Sequence, residues 1–391
     1  MKRFAKNASE KKKPRDYALL LALGGGGDVL ASAIFAESIK ARGLIPIIAS
    51  VVWERFVKDP LPGPRRLCDL SNATLIGEHL AQATKCTAFP NGALTNQAVL
   101  TEALGLENNY ILDPHHGVTG LVEGLEVLGR LFPVTEAWGI DVGGDVLAEK
   151  SSRYLRSPLA DAMLLSALVR VFPNANAAVF GIGVDGELPR QVWKRNIARH
   201  LRNRWIIETT SLPMKGIRKM SELLEARVVD TEATAMVIRA YQGLHGRFMV
   251  RDAGSIIYVD SATLCGFIYK ASDVCERINA LPDMVRQTDS IQKASDIIEN
   301  YGYQSEWRYE NEKVAKLKGP YSNLGQNELR PLVFELLREI SSQKPVINFV
   351  AERYLAERLK VNIGCIRELL EELREERFIT LYPPFIKLNK N

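Results

Sequence analysis

The stretch LLLALGGGGDVLASAIF, residues 19–35, decides the fold class of this 391-residue chain. A short apolar run, four glycines and a helical pattern that ends at Gly43 predict a buried β-strand, a tight turn and an α-helix. The hexapeptide GGDVLA within it, residues 26–31, recurs at residues 143–148 after a second strand-like run. Because the sequences that follow the two copies differ, we interpret the repeat as one turn used twice and not as a duplicated domain.

Short apolar runs alternate with longer helical patterns from Tyr17 to about residue 300. Further strand candidates are LIPIIAS (44–50), NYILD (109–113), AWGIDV (137–142), AAVFGIG (177–183), WIIETT (205–210) and SIIYVD (255–260), and the helix candidates include residues 118–131, 159–171 and 187–202. The alternation predicts an α/β, Rossmann-like ligand-binding domain at residues 17–316, with a mostly parallel sheet and helices on both faces. Residues 214–300 are more helical and contain a candidate hairpin, so they form either a subdomain or the rest of the same sheet.

The composition, 46% hydrophobic and 25% charged residues, is that of a soluble globular protein. No apolar run approaches the roughly 20 residues that span a membrane. Glycines interrupt the first apolar run after Leu23, which argues against a signal peptide. We therefore expect a cytoplasmic protein without membrane contact. The five cysteines are odd in number and include no CxxC pair, which argues against a disulfide framework and a structural zinc site.

The amino-terminal end is strongly basic. Residues 1–16 carry seven Lys or Arg and two acidic residues. With so little apolar content they predict a disordered arm, which is either simply solvated or in loose contact with nucleic acid.

The carboxyl-terminal end predicts a separate domain. Residues 317–327 predict a linker, and residues 328–391 predict three amphipathic helices followed by the two-stranded candidate ITLYPPFIKL. The second of these helices is predicted over NFVAERYLAERLKV, residues 348–361. This order is similar to that of a winged helix-turn-helix domain, whose third helix enters the major groove of DNA. Here the third helix and its extension carry Glu368, Glu371, Glu372, Glu375 and Glu376. The segment therefore predicts either DNA contact or a surface for dimerisation or protein docking, and the chain is a candidate homo-oligomer.

The first glycine turn follows a predicted strand and opens a helix, where backbone N–H groups attract phosphate. It consists of Gly24, Gly25, Gly26, Gly27 and Asp28, and it matches neither a P-loop nor a spaced GxGxxG. The aspartate fits three roles: an N-cap, the partner of a ligand hydroxyl or amine, or the ligand of a metal ion that bridges to phosphate.

Two further glycine turns follow predicted strands. The second contains Gly143, Gly144 and Asp145, ahead of a helix start at which Ser157 is a candidate N-cap and ligand contact. The third is formally GxGxxG, with Gly181, Gly183 and Gly186, and Glu208 ends the next strand as in dinucleotide-binding folds. NAD or flavin is the less favoured cofactor, because the first two of these glycines fit equally well inside the strand.

In a parallel sheet the loops after the strands share one edge, where ligands bind. The acidic residues that would crowd this edge are Asp28, Asp113, Asp141, Asp145, Asp185 and Glu187. Carboxylates packed together repel unless a cation neutralises them, so we expect a divalent metal such as Mg2+, or a cationic ligand. The candidate metal ligands are Asp28, Asp145 and Asp185, with His115 and His116 as weaker candidates. The candidate ligand-binding residues are Gly24, Gly25, Gly26, Gly27, Asp28, Gly143, Gly144, Asp145, Ser157, Gly183, Asp185, Gly186 and Glu187.

Four motifs in order, LGGGGDVLASA, WGIDVGGDVLA, SPLADAMLL and GIGVDGEL, give the chain a family resemblance. Over about residues 17–300 it resembles the mainly archaeal domain-of-unknown-function family 1152. The resemblance implies an α/β fold and no particular reaction.

Two hypotheses of function follow. In the first, the protein is a ligand-responsive regulator: its α/β domain binds a phosphorylated or nucleotide-like metabolite with a divalent metal, and the winged helix and basic arm contact DNA or a protein partner. In the second, it is a metal-assisted hydrolase or transferase. Asp28, Asp145 and Asp185 would then hold a metal-bound phosphate ligand, and one carboxylate would act as the base.

Overall fold

The computed structural model of the chain describes residues 16–54, 59, 61–149, 155–251, 254–316 and 322–388. The predicted basic arm, apart from Asp16, lies outside the described residues, as does the first half of the predicted linker. The strands are β1 Tyr17–Ala22, β2 Ile45–Ser50, β3 Thr74–Gly77, β4 Leu80–Gln82, β5 Asn109–Leu112, β6 Val134–Val142, β7 Asn176–Phe180, β8 Ile206–Thr210, β9 Gly246–Val250, β10 Ser255–Val259, β11 Gly266–Lys270, β12 Phe349–Ala351, β13 Thr380–Tyr382 and β14 Phe385–Lys387.

Helices connect most of the strands. They are α1 Gly26–Ala41, α2 Asn96–Leu104, α3 Gly117–Leu131, α4 Pro158–Val171, α5 Arg190–Arg202, α6 Met214–Glu225, α7 Ala233–Tyr241, α8 Ala271–Asp273, α9 Leu281–Met284, α10 Ile291–Asn300, α11 Glu306–Lys316, α12 Gln326–Ser341, α13 Glu352–Leu359 and α14 Ile363–Glu375. Within the described ranges, none of these helices is long and apolar enough to cross a membrane.

The main sheet confirms the predicted α/β architecture. Its nine strands lie in the order β3-β4-β5-β2-β1-β6-β7-β11-β8. The five central strands, from β5 to β7, are parallel, and the strands at both edges pair antiparallel. Strand β11, sequence GFIYK, was not predicted. It lies between β7 and β8, so the predicted strand at residues 205–210 forms the edge of the sheet.

Strand β1 lies at the centre because its apolar run has no polar face. Leu20 belongs to the core that α1, α6 and α7 cover, whereas Leu19 and Leu21 belong to the core that α3, α4 and α10 cover on the opposite face. Successive side chains of a strand point to opposite faces, so an unbroken run of leucines requires helices on both sides.

A second sheet joins the middle of the chain to its carboxyl-terminal segment. Its order is β10-β9-β12-β14-β13. The hairpin β9–β10 was predicted, but it belongs to this second sheet and not to the main sheet. Strand β12 pairs with β9 and β14. The sequence placed Phe349–Ala351 within the second amphipathic helix, and this was wrong: these residues form a strand between two others, and the helix begins at Glu352.

Candidate functional site

A cavity of about 420 Å³ opens at the carboxyl ends of β1, β2, β6 and β7. The chain order of the sheet reverses between β1 and β6, and such a switch point is where ligands bind in open α/β sheets. The turns after these strands line the cavity, together with residues 230–233 and 250–251, the start of α11, and Arg353 of α13.

The first glycine turn holds its aspartate with backbone N–H groups. Helix α1 begins at Gly26, with Gly25 as its N-cap, so Asp28 lies in the first turn of the helix and the N-cap interpretation was wrong. The Gly24 N–H donates to Asp28 Oδ2 (2.6 Å) and the Val142 N–H donates to Asp28 Oδ1 (3.1 Å). This carboxylate therefore joins the end of β1 to the end of β6. Because the Gly24 N–H already donates to Asp28, it is not available as a donor to a phosphate.

The second glycine turn has a different backbone. Gly143 and Gly144 have φ values of +123° and +96°, which favour glycine, and a 3-10 turn begins at Asp145. The Gly144 N–H donates to Asp141 Oδ2 at 3.0 Å. A Cβ atom on Gly143 would lie 2.6 Å from the Asp185 carboxyl carbon, so this glycine is required for the third turn to approach the second.

The third glycine turn lacks two features of a dinucleotide fingerprint. Helix α5 begins only at Arg190, four residues after Gly186, and not at the turn itself. Glu208 is exposed on β8, which β11 separates from β7. The turn instead contributes Asp185 to the cavity.

Six buried carboxylates form two groups beside this cavity. Within each group, one carboxylate oxygen of every member lies within 4.8 Å of the others. The first group is Asp28, Asp141 and Asp161, and the second group is Asp145, Asp185 and Glu187. Among the described residues, Asp141 Oδ1 and Asp185 Oδ2 are buried without a hydrogen-bond partner. Burial of so many like charges predicts either protonation or neutralisation by cations.

The pKa values of the two groups reflect this crowding. Burial, and then the charges of Asp145 and Asp161, raises the pKa of Asp141 well above its usual value. Burial, Asp161 and Glu187 do the same to the pKa of Asp145. Burial and Glu187 raise the pKa of Asp185 to about 7. At neutral pH and without cations, the groups therefore retain protons that isolated aspartates would lose.

Glu187 is the exception because it has cationic and hydrogen-bonding partners. Burial alone would raise its pKa, but Arg251, Ser157 and the Arg156 N–H outweigh burial and lower it. Arg251 Nη1 lies 2.6 Å from Glu187 Oε1. The Ser157 hydroxyl donates to the same oxygen and lies 3.3 Å from Asp145 Oδ2. Glu187 thus remains ionised and anchors Arg251 at the cavity.

Ser157 precedes α4 as predicted, but its side chain does not cap the helix. The cap comes from a distant residue, because both oxygens of Glu306 accept hydrogen bonds, one from the Leu159 N–H and one from the Ala160 N–H, each at 2.9 Å. The predicted capping role was wrong since the hydroxyl is engaged by Glu187, a stronger, charged acceptor.

The comparisons with known proteins agree with the sequence motifs. A model of the family described as protein of unknown function, DUF1152, matches residues 19–314. The chain belongs to this family. No curated protein and no solved structure matches it significantly. The DUF1152 match includes both carboxylate groups, Arg251 and the start of α11, and it ends before the carboxyl-terminal segment.

In this DUF1152 protein, several predicted site residues do not line the cavity. Gly143, Gly144, Gly183 and Gly186 shape the turns behind its wall. His115 donates through Nδ1 to Asp113 Oδ1 (2.8 Å) and contacts the ring of Trp307. His116 packs on His79, with 4.6 Å between ring centroids. Both histidines therefore belong to local packing and not to the carboxylate groups. Asp113 also lies outside the cavity lining, as the N-cap of a 3-10 turn.

Other residues of the DUF1152 cavity were missed. Glu54 follows β2, Glu232 precedes α7, and Arg251 follows β9. Glu310 Oε2 accepts from Trp53 Nε1 (2.9 Å) and from the Gly63 N–H (2.7 Å), one helical turn after Glu306. No local motif marks these residues, because each acts on a segment far away in the chain.

Proposed function

We propose that the protein is a metal-dependent enzyme that hydrolyses or transfers a phosphoryl group of a small phosphorylated or nucleotide-like substrate. The observation that carries the proposal is the presence of two groups of three buried carboxylates beside one cavity. Oxygen ligands of this kind suit Mg2+ or Mn2+. Enzymes with two neighbouring divalent ions use them to stabilise the attacking and the leaving oxygens of an in-line displacement.

The electrostatics support cation binding. The raised pKa values of Asp141, Asp145 and Asp185 record the cost of holding these charges together without a counter-ion. Divalent cations would remove that cost and would engage the buried oxygens Asp141 Oδ1 and Asp185 Oδ2, which lack hydrogen-bond partners among the described residues.

The cationic lining supports an anionic substrate. Arg156, Arg251 and Arg353 all line the cavity, and the amino end of α1 opens onto it. Guanidinium groups bind phosphate with two parallel hydrogen bonds, and helix amino ends favour negative charge. Five acidic residues line the cavity without belonging to either carboxylate group: Glu54, Asp230, Glu232, Glu306 and Glu310. Of these, we propose Glu54 and Glu232 as the residues that accept the proton of an attacking water.

Titration of the full-length protein with Mn2+ tests the proposal. We expect saturable binding by calorimetry, and release of inorganic phosphate from a panel of nucleotides and phosphate esters only when the metal is present. Asp145→Asn should reduce both metal binding and turnover by at least about tenfold, because it removes one ligand and one charge. Asp113→Asn is the matched control: both aspartates are 7% exposed, but Asp113 lies outside the cavity lining. Equal loss in the two variants, or phosphate release in the presence of EDTA, would contradict the proposal.

A ligand-responsive regulator is the second candidate, and contacts of the carboxyl-terminal segment favour it. Arg353 of α13 lines the cavity, as does Asp230, whose Oδ1 accepts from Arg367 Nη2 of α14 at 2.6 Å. The order of α12, β12, α13, α14 and the hairpin β13–β14 is that of a winged helix, which we propose for this segment. Its third helix favours docking of a protein or of a second copy over DNA contact, because Arg367 and Arg374 already pair with carboxylates of the chain.

Hydrogen exchange separates the two candidates. A regulator should change the protection of amides in residues 326–388 when Mn2+ and a nucleotide are added, because the ligand would contact Arg353. If the protein is an enzyme and residues 326–388 only line the cavity, it should show turnover, and only the amides of the turns that line the cavity should change in protection.

A further inference from the structure

A basic surface lies on α5, outside the cavity. Residues 188–207 contain six Lys or Arg and no Asp or Glu. Lys194, Arg195, Arg202 and Arg204 are exposed, and they form no salt bridge with any described residue, whereas Arg190 and Arg199 pair with Asp260 and Glu149. Like charges on one helix repel and cost stability, so an uncompensated row of this kind indicates an anionic partner.

The exposed cations occupy two turns of α5. Arg195 and Arg202 lie seven residues apart on one face of the helix, and Lys194 lies beside them, about 100° around the helix from Arg195. From Lys194 to Arg202 the helix rises about 12 Å, a length that spans about three to four phosphates of one strand along a DNA duplex. A rigid helix thus presents cations over the distance at which a duplex presents a row of phosphates.

The surface continues at both ends of α5. Near the start, the guanidinium carbons of Arg190 and Arg247 lie 4.7 Å and 5.8 Å from the ring centre of Tyr258. Beyond the end, Arg204 is exposed in the loop that leads to β8. The basic surface therefore extends beyond α5, so a rigid polyanion could contact more than one element of the protein.

The chemistry of this surface favours a duplex over other anionic partners. Ile197 is buried, Val192 and Trp193 are half-buried, and the exposed apolar residues of α5 are Ala198 and Leu201. A helix that lies on a membrane needs a whole apolar face. Single-strand binders stack successive bases on several exposed rings, and here Trp193 is half-buried.

We propose that the exposed basic face of α5 is a docking surface for double-stranded DNA, held through its phosphates without sequence readout. The proposal is independent of the cavity chemistry. It also assigns polyanion contact to α5 and not to α14, whose exposed face is acidic.

Fluorescence anisotropy of the full chain with a labelled 20-base-pair duplex tests the proposal over a range of NaCl concentrations. The variant Lys194→Glu/Arg195→Glu should weaken binding by about tenfold or more and lower the slope of log affinity against log salt by about 2. Arg218→Glu/Lys219→Glu is the matched control, because it reverses an adjacent, exposed basic pair on α6. It should change affinity by less than about threefold through net charge alone. Both variants keep residues 1–16, so any contribution of the basic end is common to them.

Three results would overturn the proposal: equal loss in the two variants, wild-type binding that does not depend on salt, or tighter binding to duplex RNA or to vesicles with anionic lipid than to the DNA. Circular dichroism of each variant verifies that α5 and the fold persist. Metal binding by the cavity should be the same in both variants.

Discussion

The two copies of GGDVLA have the same six residues and different structures. In the first copy, Gly26 and Gly27 are the first residues of a regular α-helix. In the second, Gly143 and Gly144 adopt left-handed backbone angles and only a short 3-10 turn follows. The hexapeptide therefore does not determine a backbone. What the copies share is an aspartate delivered to the edge of the sheet, and the segments around each copy decide how.

The two aspartates also have different interactions. Asp28 accepts hydrogen bonds from two backbone N–H groups and so connects the end of β1 to the end of β6. Asp145 lies among Asp161, Glu187 and Asp185, whose charges raise its pKa. Asp28 of the first copy thus stabilises the site through hydrogen bonds, whereas Asp145 of the second copy adds electrostatic repulsion to it.

The largest difference between the copies should appear on replacing their second glycines. Gly144→Ala places a side chain at φ +96° and 2.7 Å from an Ile182 carbon, which should lower the free energy of unfolding by about 3 kcal/mol. Gly27→Ala should change the free energy of unfolding by less than about 1 kcal/mol. Alanine favours a helix, and the nearest atom to its Cβ, Thr231 Oγ1, is 3.0 Å away. Urea unfolding measures both, and equal costs would mean that the copies do not differ in backbone as described.

The second effect concerns pH. The pKa of Asp185 is raised from 3.8 to about 7 on folding, so the folded state binds this proton more tightly than the unfolded state. The stabilisation is complete below about pH 4 and is lost as pH rises through 7, with a slope near 1.4 kcal/mol per pH unit for a full proton. In EDTA, wild type should therefore lose about 2 kcal/mol relative to Asp185→Asn between pH 5 and pH 8. Thermal unfolding at both pH values checks this. A difference that is constant with pH would remove the evidence for electrostatic crowding in the group of Asp145, Asp185 and Glu187.

The smallest effects should have opposite signs in the two copies. Asp28→Asn replaces one carboxylate oxygen, which accepts a hydrogen bond from a backbone N–H, with an amide NH2 group that cannot accept. It should destabilise the metal-free protein by about 1 kcal/mol or more. Asp145→Asn removes a crowded charge and should stabilise the metal-free protein at pH 8 by about 1 kcal/mol. Both should weaken Mn2+ binding. Differential scanning calorimetry with and without metal compares them, and the same sign in both variants would make the two aspartates equivalent.

The sequence predicted the central sheet well, because β1 and the second half of β6 are mostly apolar and are buried on both faces. Strand β11 escaped prediction since GFIYK is short and polar at its end, and only its two antiparallel neighbours hold it in the sheet. Strand β12 escaped because its apolar residues continue smoothly into the pattern of α13. In both cases tertiary pairing outweighed local propensity.

The site was predicted in part. Asp28 and Asp145 line one cavity at the same edge of the sheet, as expected, but they fall into different carboxylate groups. Which side chains meet depends on the left-handed angles of Gly143 and Gly144, which sequence does not specify. Arg251 and Glu306 were beyond sequence reasoning, because their partners lie far away along the chain.

The amino end of α4 is completed by the side chain of Glu306, which is synthesised 147 residues after Leu159. All six carboxylates precede α5 in the chain, whereas α11 follows it. The helix that begins beside the carboxylates therefore gains the acceptors of its first N–H groups only after α11 has been made and has docked. The start of α4 thus depends on a segment near the end of the DUF1152 match.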